Sequence, residues 1–260
     1  MKSVMFKLKT ISMRHLITGL LNFFMPEHLT CNFCEAELPP KSEKPICELC
    51  HAHMVMIDGH LCEKCGRPID VTYAQHADYF FRCKECQENF VFFHKHRAFT
   101  HYDEGVKTAL MGLKYKRQIY QAVYFGECLA KMVSEDVSLK DFDLVVPVPV
   151  HFLRRLNRGY NQAEVLASHM CKHLGIEPPS DLLIRKRVTK KLKNLDKESR
   201  KLMLENAIIV DKNAAPSLKN KRVLLVDDIY TTGTTLNACA RALYEAGCER
   251  ICCVTVARGK

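Results

Sequence analysis

The chain has no run of about 20 apolar residues, the length a helix needs to cross a bilayer, so no membrane span is expected. Tryptophan is absent and aromatic residues make up only 8% of the sequence, which leaves few flat side chains on which bases stack. Phe152 and Tyr160 are the two that fall near basic residues. There is no G-x-x-x-x-G-K-[ST] segment, which excludes a P-loop. No low-complexity tract occurs either. Glycine and proline are unremarkable in number, and 47% hydrophobic with 26% charged residues describes neither a disordered nor a fibrous chain. The basic N-terminus (Lys2, Lys7, Lys9, Arg14) runs into an apolar segment over 16–25, broken by Thr18, Gly19 and Asn22, with no small-x-small cleavage site after it. Residues 1–30 are therefore expected as an amphipathic helix against the folded domain rather than as a leader.

What the chain does have is cysteine. Eight of its 14 cysteines form four C-x-x-C pairs before residue 90: Cys31/Cys34, Cys47/Cys50, Cys62/Cys65 and Cys83/Cys86. Each pair supplies two thiolates from one tight knuckle, and two pairs complete the tetrahedron that Zn²⁺ takes at about 2.3 Å. The spacing predicts a zinc-ribbon module over 31–90 with two sequential sites, 31/34/47/50 and 62/65/83/86. A cross-braced arrangement (31/34 with 62/65, 47/50 with 83/86) satisfies the same spacing. With four protein ligands and no open position, the zinc is structural. His51, His53, His60 and His76 lie nearby and are read as surface residues. The other six cysteines (Cys128, Cys171, Cys239, Cys248, Cys252, Cys253) sit in apolar runs and are read as buried structural thiols. Both groups suit a reducing, cytoplasmic compartment.

From about residue 91 the pattern changes. Strand-like blocks at 91–93, 98–102, 143–150, 222–226 and 250–257 alternate with helix-like blocks at 104–113, 120–133, 162–174, 196–206 and 235–246. Continuously apolar strands alternating with helices argue for an α/β fold, a parallel sheet covered on both faces, over 91–260.

The net charge of +10 is uneven: residues 1–100 carry 12 Lys/Arg against 11 Asp/Glu, and 185–201 alone carry nine against two. A patch of that density, extended by Arg154, Arg155 and Arg158, suits an anionic partner such as single-stranded DNA; a solvated basic loop, or a cover over pyrophosphate, fits the same residues.

The sharpest segment is 223–236, VLLVDDIYTTGTTL. An apolar strand runs into Asp227 and Asp228, then Thr231, Thr232, Gly233, Thr234 and Thr235, then a helix. Small hydroxyl residues and a glycine let backbone N–H groups approach a phosphate at a helix N-terminus, where the dipole also favours an anion. Two carboxylates at the carboxyl end of a parallel strand accept hydrogen bonds from vicinal ribose hydroxyls, at the edge where open α/β sheets bind ligands.

This segment resembles the 5-phosphoribosyl-1-pyrophosphate (PRPP) motif of type I phosphoribosyltransferases. The resemblance implies that Asp227 and Asp228 hold the ribose hydroxyls as the catalytic-site acids, that Thr231, Thr232, Gly233, Thr234 and Thr235 hold the 5′-phosphate, and that Mg²⁺ accompanies the pyrophosphate. The four C-x-x-C pairs, Val146-Pro147-Val148-Pro149, Arg158-Gly159-Tyr160-Asn161-Gln162-Ala163 and Lys114-Tyr115-Lys116 together resemble the ComF competence family, ComFC type. That resemblance implies a DNA-uptake factor of natural transformation that binds PRPP, works on single-stranded DNA and partners a ComF helicase. A phosphoribosyltransferase acting on an unknown acceptor is the alternative. One segment departs from the family pattern: Leu192, Met203 and Ile208 stand where it has Gln, Asn and an aromatic residue, and no substrate contact is carried over to it.

Overall fold

In the computed structural model the described residues are 30–31, 33–39, 42, 44–69, 81–186 and 207–259. The expected helices over 1–30 and 196–206, His76 and most of the basic stretch (187–201) lie outside them.

Helices α1 (Glu48–Ala52) and α2 (Lys84–Glu88) each follow the first cysteine of a C-x-x-C pair. Then come β1 (Lys95–His101), α3 (Glu104–Tyr115), α4 (Gln121–Glu135), β2 (Leu144–Pro147), α5 (Phe152–Arg158) and α6 (Gln162–Leu174). The chain continues through β3 (Leu183–Arg185), β4 (Ile208–Val210), a 3₁₀ turn (Ala215–Leu218), β5 (Arg222–Tyr230), α7 (Thr234–Glu245) and β6 (Arg250–Arg258).

Strands β1, β6, β5 and β2, in that spatial order, form one parallel sheet. Strands β3 and β4 make a separate antiparallel pair that the sequence patterning did not suggest. Alternation buries the sheet on both faces, as strands with helices on either side require. Leu224, Val226, Cys252, Val254 and Val256 join one core with Leu110, Phe125, Leu129, Leu166 and Met170 of α3, α4 and α6. Val223, Leu225, Ile251 and Cys253 join the other, with Leu236, Cys239 and Leu243 of α7. The cysteine-rich region adds to both: Cys31, Leu38, Ile46 and Met54 to the first, Cys62, Cys65, Cys83 and Phe93 to the second.

Several boundaries differ from the sequence expectation for local reasons. Residues 91–93 are not strand, because Phe92 N–H donates to the Asn237 side chain at 2.7 Å instead of to a ladder partner. The strand expected over 143–150 stops at Pro147. The strand expected to end at Val226 runs on to Tyr230, so Asp227 and Asp228 lie on it.

The Arg158–Ala163 segment is a structural joint. Gly159 ends α5 in the left-handed conformation (φ 86°), and the Tyr160 hydroxyl donates to the Leu113 carbonyl at the end of α3. Asn161 caps α6 by accepting from Ala163 N–H at 3.2 Å and donates to the Val148 carbonyl at 3.0 Å. Such a cap is worth about 1 kcal/mol.

Candidate functional site

The carboxyl end of β5 outruns its neighbour β2: the β2–β5 register ends at Pro147 opposite Val226, and residues 227–230 pair only with β6. This opens the crevice beyond the strand ends where parallel α/β sheets take ligands. Because side chains alternate along a strand, the two adjacent acids straddle it. Asp228 is on the side of Leu224 and Val226, and there the Lys114 ammonium at the end of α3 pairs with its carboxylate. Asp227 is on the opposite side, and its Oδ1 accepts from the Asp228 N–H at 2.8 Å. Burial first, and the adjacent Asp228 charge second, push the Asp227 carboxyl well above the usual carboxylate range, against the pull of Lys114. Arg185 of β3 is near enough to feel the Asp227 charge.

The bend after β5 leads straight into α7. Thr231 and Thr232 are exposed, Gly233 is buried, and the Thr232 and Thr234 hydroxyls are 2.7 Å apart. Gly233 is the N-cap of α7, with φ 72° and no side chain to cap the 12-residue helix; the Thr234 N–H donates to the Thr232 hydroxyl at 3.5 Å. A Cβ at Gly233 would stand 2.4 Å from the Tyr230 hydroxyl, so glycine is required both by the backbone angle and by the ring beneath.

Tyr230 is held in turn. His96 stacks on it with centroids 4.2 Å apart, and the Arg258 guanidinium lies 4.5 Å above the ring. Both side chains also grip the second cysteine cluster. Arg258, only 3% exposed, donates to the Cys65 carbonyl at 2.6 Å, and His96 Nδ1 is 2.8 Å from the same oxygen. Burial lowers the His96 pKa to about 3, so the ring is neutral. A carbonyl only accepts, so Nδ1 carries the proton and Nε2 accepts from Thr255 at 3.0 Å.

The thiols group sequentially. Cys31, Cys34, Cys47 and Cys50 form one cluster and Cys62, Cys65, Cys83 and Cys86 the other, with the sulfurs of each within 4.8 Å of one another. A tetrahedron with 2.3 Å bonds has edges of about 3.8 Å. The Cys34–Cys47 and Cys65–Cys83 sulfur separations, 3.8 and 3.6 Å, fit that geometry. The backbone supports thiolates: Cys65 and Cys83 N–H groups point at the Cys62 sulfur from 3.5 and 3.3 Å. Together with the Cys65 side chain, the largest contributor, they draw the Cys62 pKa down to about 4. Both clusters are therefore suited to hold a metal ion such as zinc. Of the nearby histidines, His51 bonds the Tyr124 hydroxyl through Nδ1 at 2.7 Å, and neither cluster includes a histidine. The six remaining cysteines are all buried, and burial raises Cys171 and Cys248 to about 11 and Cys128 to about 12.

Asp227, Asp228 and Thr231–Thr235 thus fall together on one strand end, bend and helix start. Of the basic residues, Arg154 and Arg158 line a cleft with Lys114, whereas Arg155 is engaged by Glu164 and Asp181 at 3.1 and 3.0 Å. Sequence reasoning noted Lys114 without a role, and it missed Tyr230, His96 and Arg258. A charged residue closing the apolar run of β6 was the available signal for Arg258.

Residues 157–260 match the family model "Phosphoribosyl transferase domain". The chain is 28% identical over 240 residues to competence protein F of Haemophilus influenzae, covering 89% of this chain and 96% of that one. It is 29% identical over 213 residues to competence protein ComFC of Bacillus subtilis (80% and 81% covered). It is 26% identical over 209 residues to the DNA utilization protein YhgH of Salmonella typhimurium (79% and 87% covered). With the parallel sheet and the paired thiol clusters, the chain has a phosphoribosyltransferase-type domain joined to a cysteine-rich module, and over most of its length it is similar to ComF-type competence and DNA-utilization proteins.

Proposed function

We propose that this ComF-type chain handles incoming single-stranded DNA in the cytoplasm and binds PRPP with Mg²⁺ at the end of β5. The observation that carries the PRPP reading is the acid pair straddling a strand end directly before a helix N-terminus whose N-cap is Gly233. In this reading Asp227 and Asp228 accept the ribose hydroxyls, Lys114 moves from Asp228 toward the pyrophosphate, and residues 231–235 enclose the 5′-phosphate. The names of the relatives support the DNA role, and a ComF helicase is the partner that the family resemblance implies. Fourteen free cysteines, eight of them in metal-type clusters, favour a reducing compartment, and no helix among the described residues is long and apolar enough to cross a membrane. The two clusters hold structural zinc.

Calorimetry with PRPP and Mg²⁺ tests the ligand. Binding heat with the native chain and none with Asp227→Asn/Asp228→Asn is expected; no heat with the native chain, or unchanged heat with the double variant, refutes the site.

Phosphoribosyl transfer is the second reading, favoured by the raised proton affinity of Asp227 beside Asp228. It would break the bond from ribose C1 to pyrophosphate and form one to an acceptor. Pyrophosphate release that depends on an added acceptor is its signature.

A further inference from the structure

A cleft of about 400 Å³ opens beside the acid pair, where Lys114, the partner of Asp228, forms part of its wall. Arg117, Arg154 and Arg158 supply three more cations, and no carboxylate belongs to the lining. Among the described residues no carboxylate forms an ion pair with any of these three arginines, in contrast to Arg155, the neighbour of Arg154 on the same helix. Like charges gathered without acids cost free energy in the empty protein, and the cost is recovered by a polyanion. Arg117 also has φ 55°, a left-handed conformation that a side chain adopts at a cost and that concentrates at ligand sites.

The cleft has an aromatic surface as well. Tyr115 is 65% exposed, and the Arg158 guanidinium lies 5.0 Å over its ring, fixing the ring in place. Tyr160 joins Tyr115 in the lining of the cleft. Cations beside an exposed ring suit a chain of phosphates with unpaired bases, whereas an inorganic anion would use only the cations.

Resting on the nucleic-acid part of the function proposed above, we infer that this cleft seats single-stranded nucleic acid. The phosphates lie on Arg117, Arg154 and Arg158, and one base stacks on Tyr115. The strand would then pass directly beside the PRPP site, because Lys114 borders both.

Anisotropy of a labelled oligothymidylate with the full chain, read across a salt series, tests this. Losing two phosphate contacts in Arg154→Gln/Arg158→Gln is expected to reduce the slope of log affinity against log salt by about 1.4. Tyr115→Ala is expected to weaken binding about tenfold at unchanged slope, and Tyr115→Phe to restore it. PRPP heat persists in Tyr115→Ala, separating the two sites. The inference is overturned if the native chain does not bind the oligonucleotide, or if slope and affinity survive all the substitutions. It is also overturned if polyphosphate competes as well as the oligonucleotide and Tyr115→Ala changes nothing, which would mark the cleft as a patch for any polyanion. If PRPP heat is absent from the native chain while the DNA variants behave as stated, the PRPP reading fails alone.

Discussion

The two cysteine clusters share a knuckle and differ in what surrounds them. In each, the residue after the second cysteine of the first pair sits in the left-handed region and donates its N–H to the first cysteine's carbonyl at 2.8 Å: Glu35 to Cys31, and Gly66 to Cys62. The first cluster packs against the helices, with Phe33 6.4 Å from Phe125 and His51 bonded to Tyr124, and its Cys34 is exposed. The second has three buried thiols and abuts the strand ends, where His96 and Arg258 join Cys65 to Tyr230 and so to Gly233. One cysteine knuckle therefore fastens a peripheral loop, while its repeat braces the bend that carries the acid pair and threonines. Gly66 shows the tighter demand: a Cβ there would stand 2.7 Å from the His96 carbonyl. Glu35 carries a side chain at the matching position.

The largest expected difference is between cysteine variants. Cys62→Ser/Cys65→Ser should weaken PRPP binding about tenfold or more, a coupling within the usual range between linked sites. Cys31→Ser/Cys34→Ser should lose metal to the same stoichiometry and leave PRPP affinity within about twofold. Metal content and calorimetry on both variants check this, and equal losses of affinity would remove the distinction.

Next in size is the knuckle glycine. Gly66→Ala combines a left-handed backbone with a clash against a main-chain oxygen. A cost of about 2 kcal/mol corresponds to a Tm lower by about 4–8 °C in a chain of this length. Glu35→Ala, already left-handed and exposed, should shift Tm by less than about 2 °C in the same melting experiment.

The arginines sharpen the comparison further. Arg97 donates to the Cys62 carbonyl at 3.2 Å but makes no ring contact with Tyr230, whereas Arg258 reaches both Cys65 and Tyr230. Arg258→Met should therefore weaken PRPP binding about fivefold while Arg97→Met leaves it unchanged, as titrations of the two proteins would show.

The smallest effect is a gain. Unfolded Asp227 loses its proton near the ordinary value of about 3.9. The folded carboxyl holds it to higher pH, so native stability falls as pH rises from the first value to the second. Asp227→Asn removes that cost and should raise the Tm of the ligand-free chain at neutral pH, with the gain vanishing below about pH 4. Melting curves at both pH values decide it.

Much of this was legible in the chain. Four C-x-x-C pairs announce their own chemistry, and apolar runs such as 222–226 and 250–257 announce buried parallel strands because both faces are covered. The acid pair and threonine bend were readable because strand, acids, glycine and helix are contiguous. The Lys114–Asp228 pair and the Cys65–Arg258–Tyr230 contacts were not, because they join residues 114 and 193 positions apart, and only the fold sets their distance. The extension of β5 to Tyr230 was missed for a related reason. Polar residues signal the end of a strand locally, but pairing with β6 continues through Asp227, Ile229 and Tyr230 opposite Thr255, Ala257 and Arg258.

A crystal structure of the full chain with PRPP and Mg²⁺ decides whether the end of β5 is the ligand site. The ribose hydroxyls are expected against Asp227 and Asp228, and the 5′-phosphate enclosed by residues 231–235 above Tyr230. Sugar-phosphate density elsewhere on the sheet, or an empty bend with Lys114 still closed on Asp228 at saturating ligand, would contradict it.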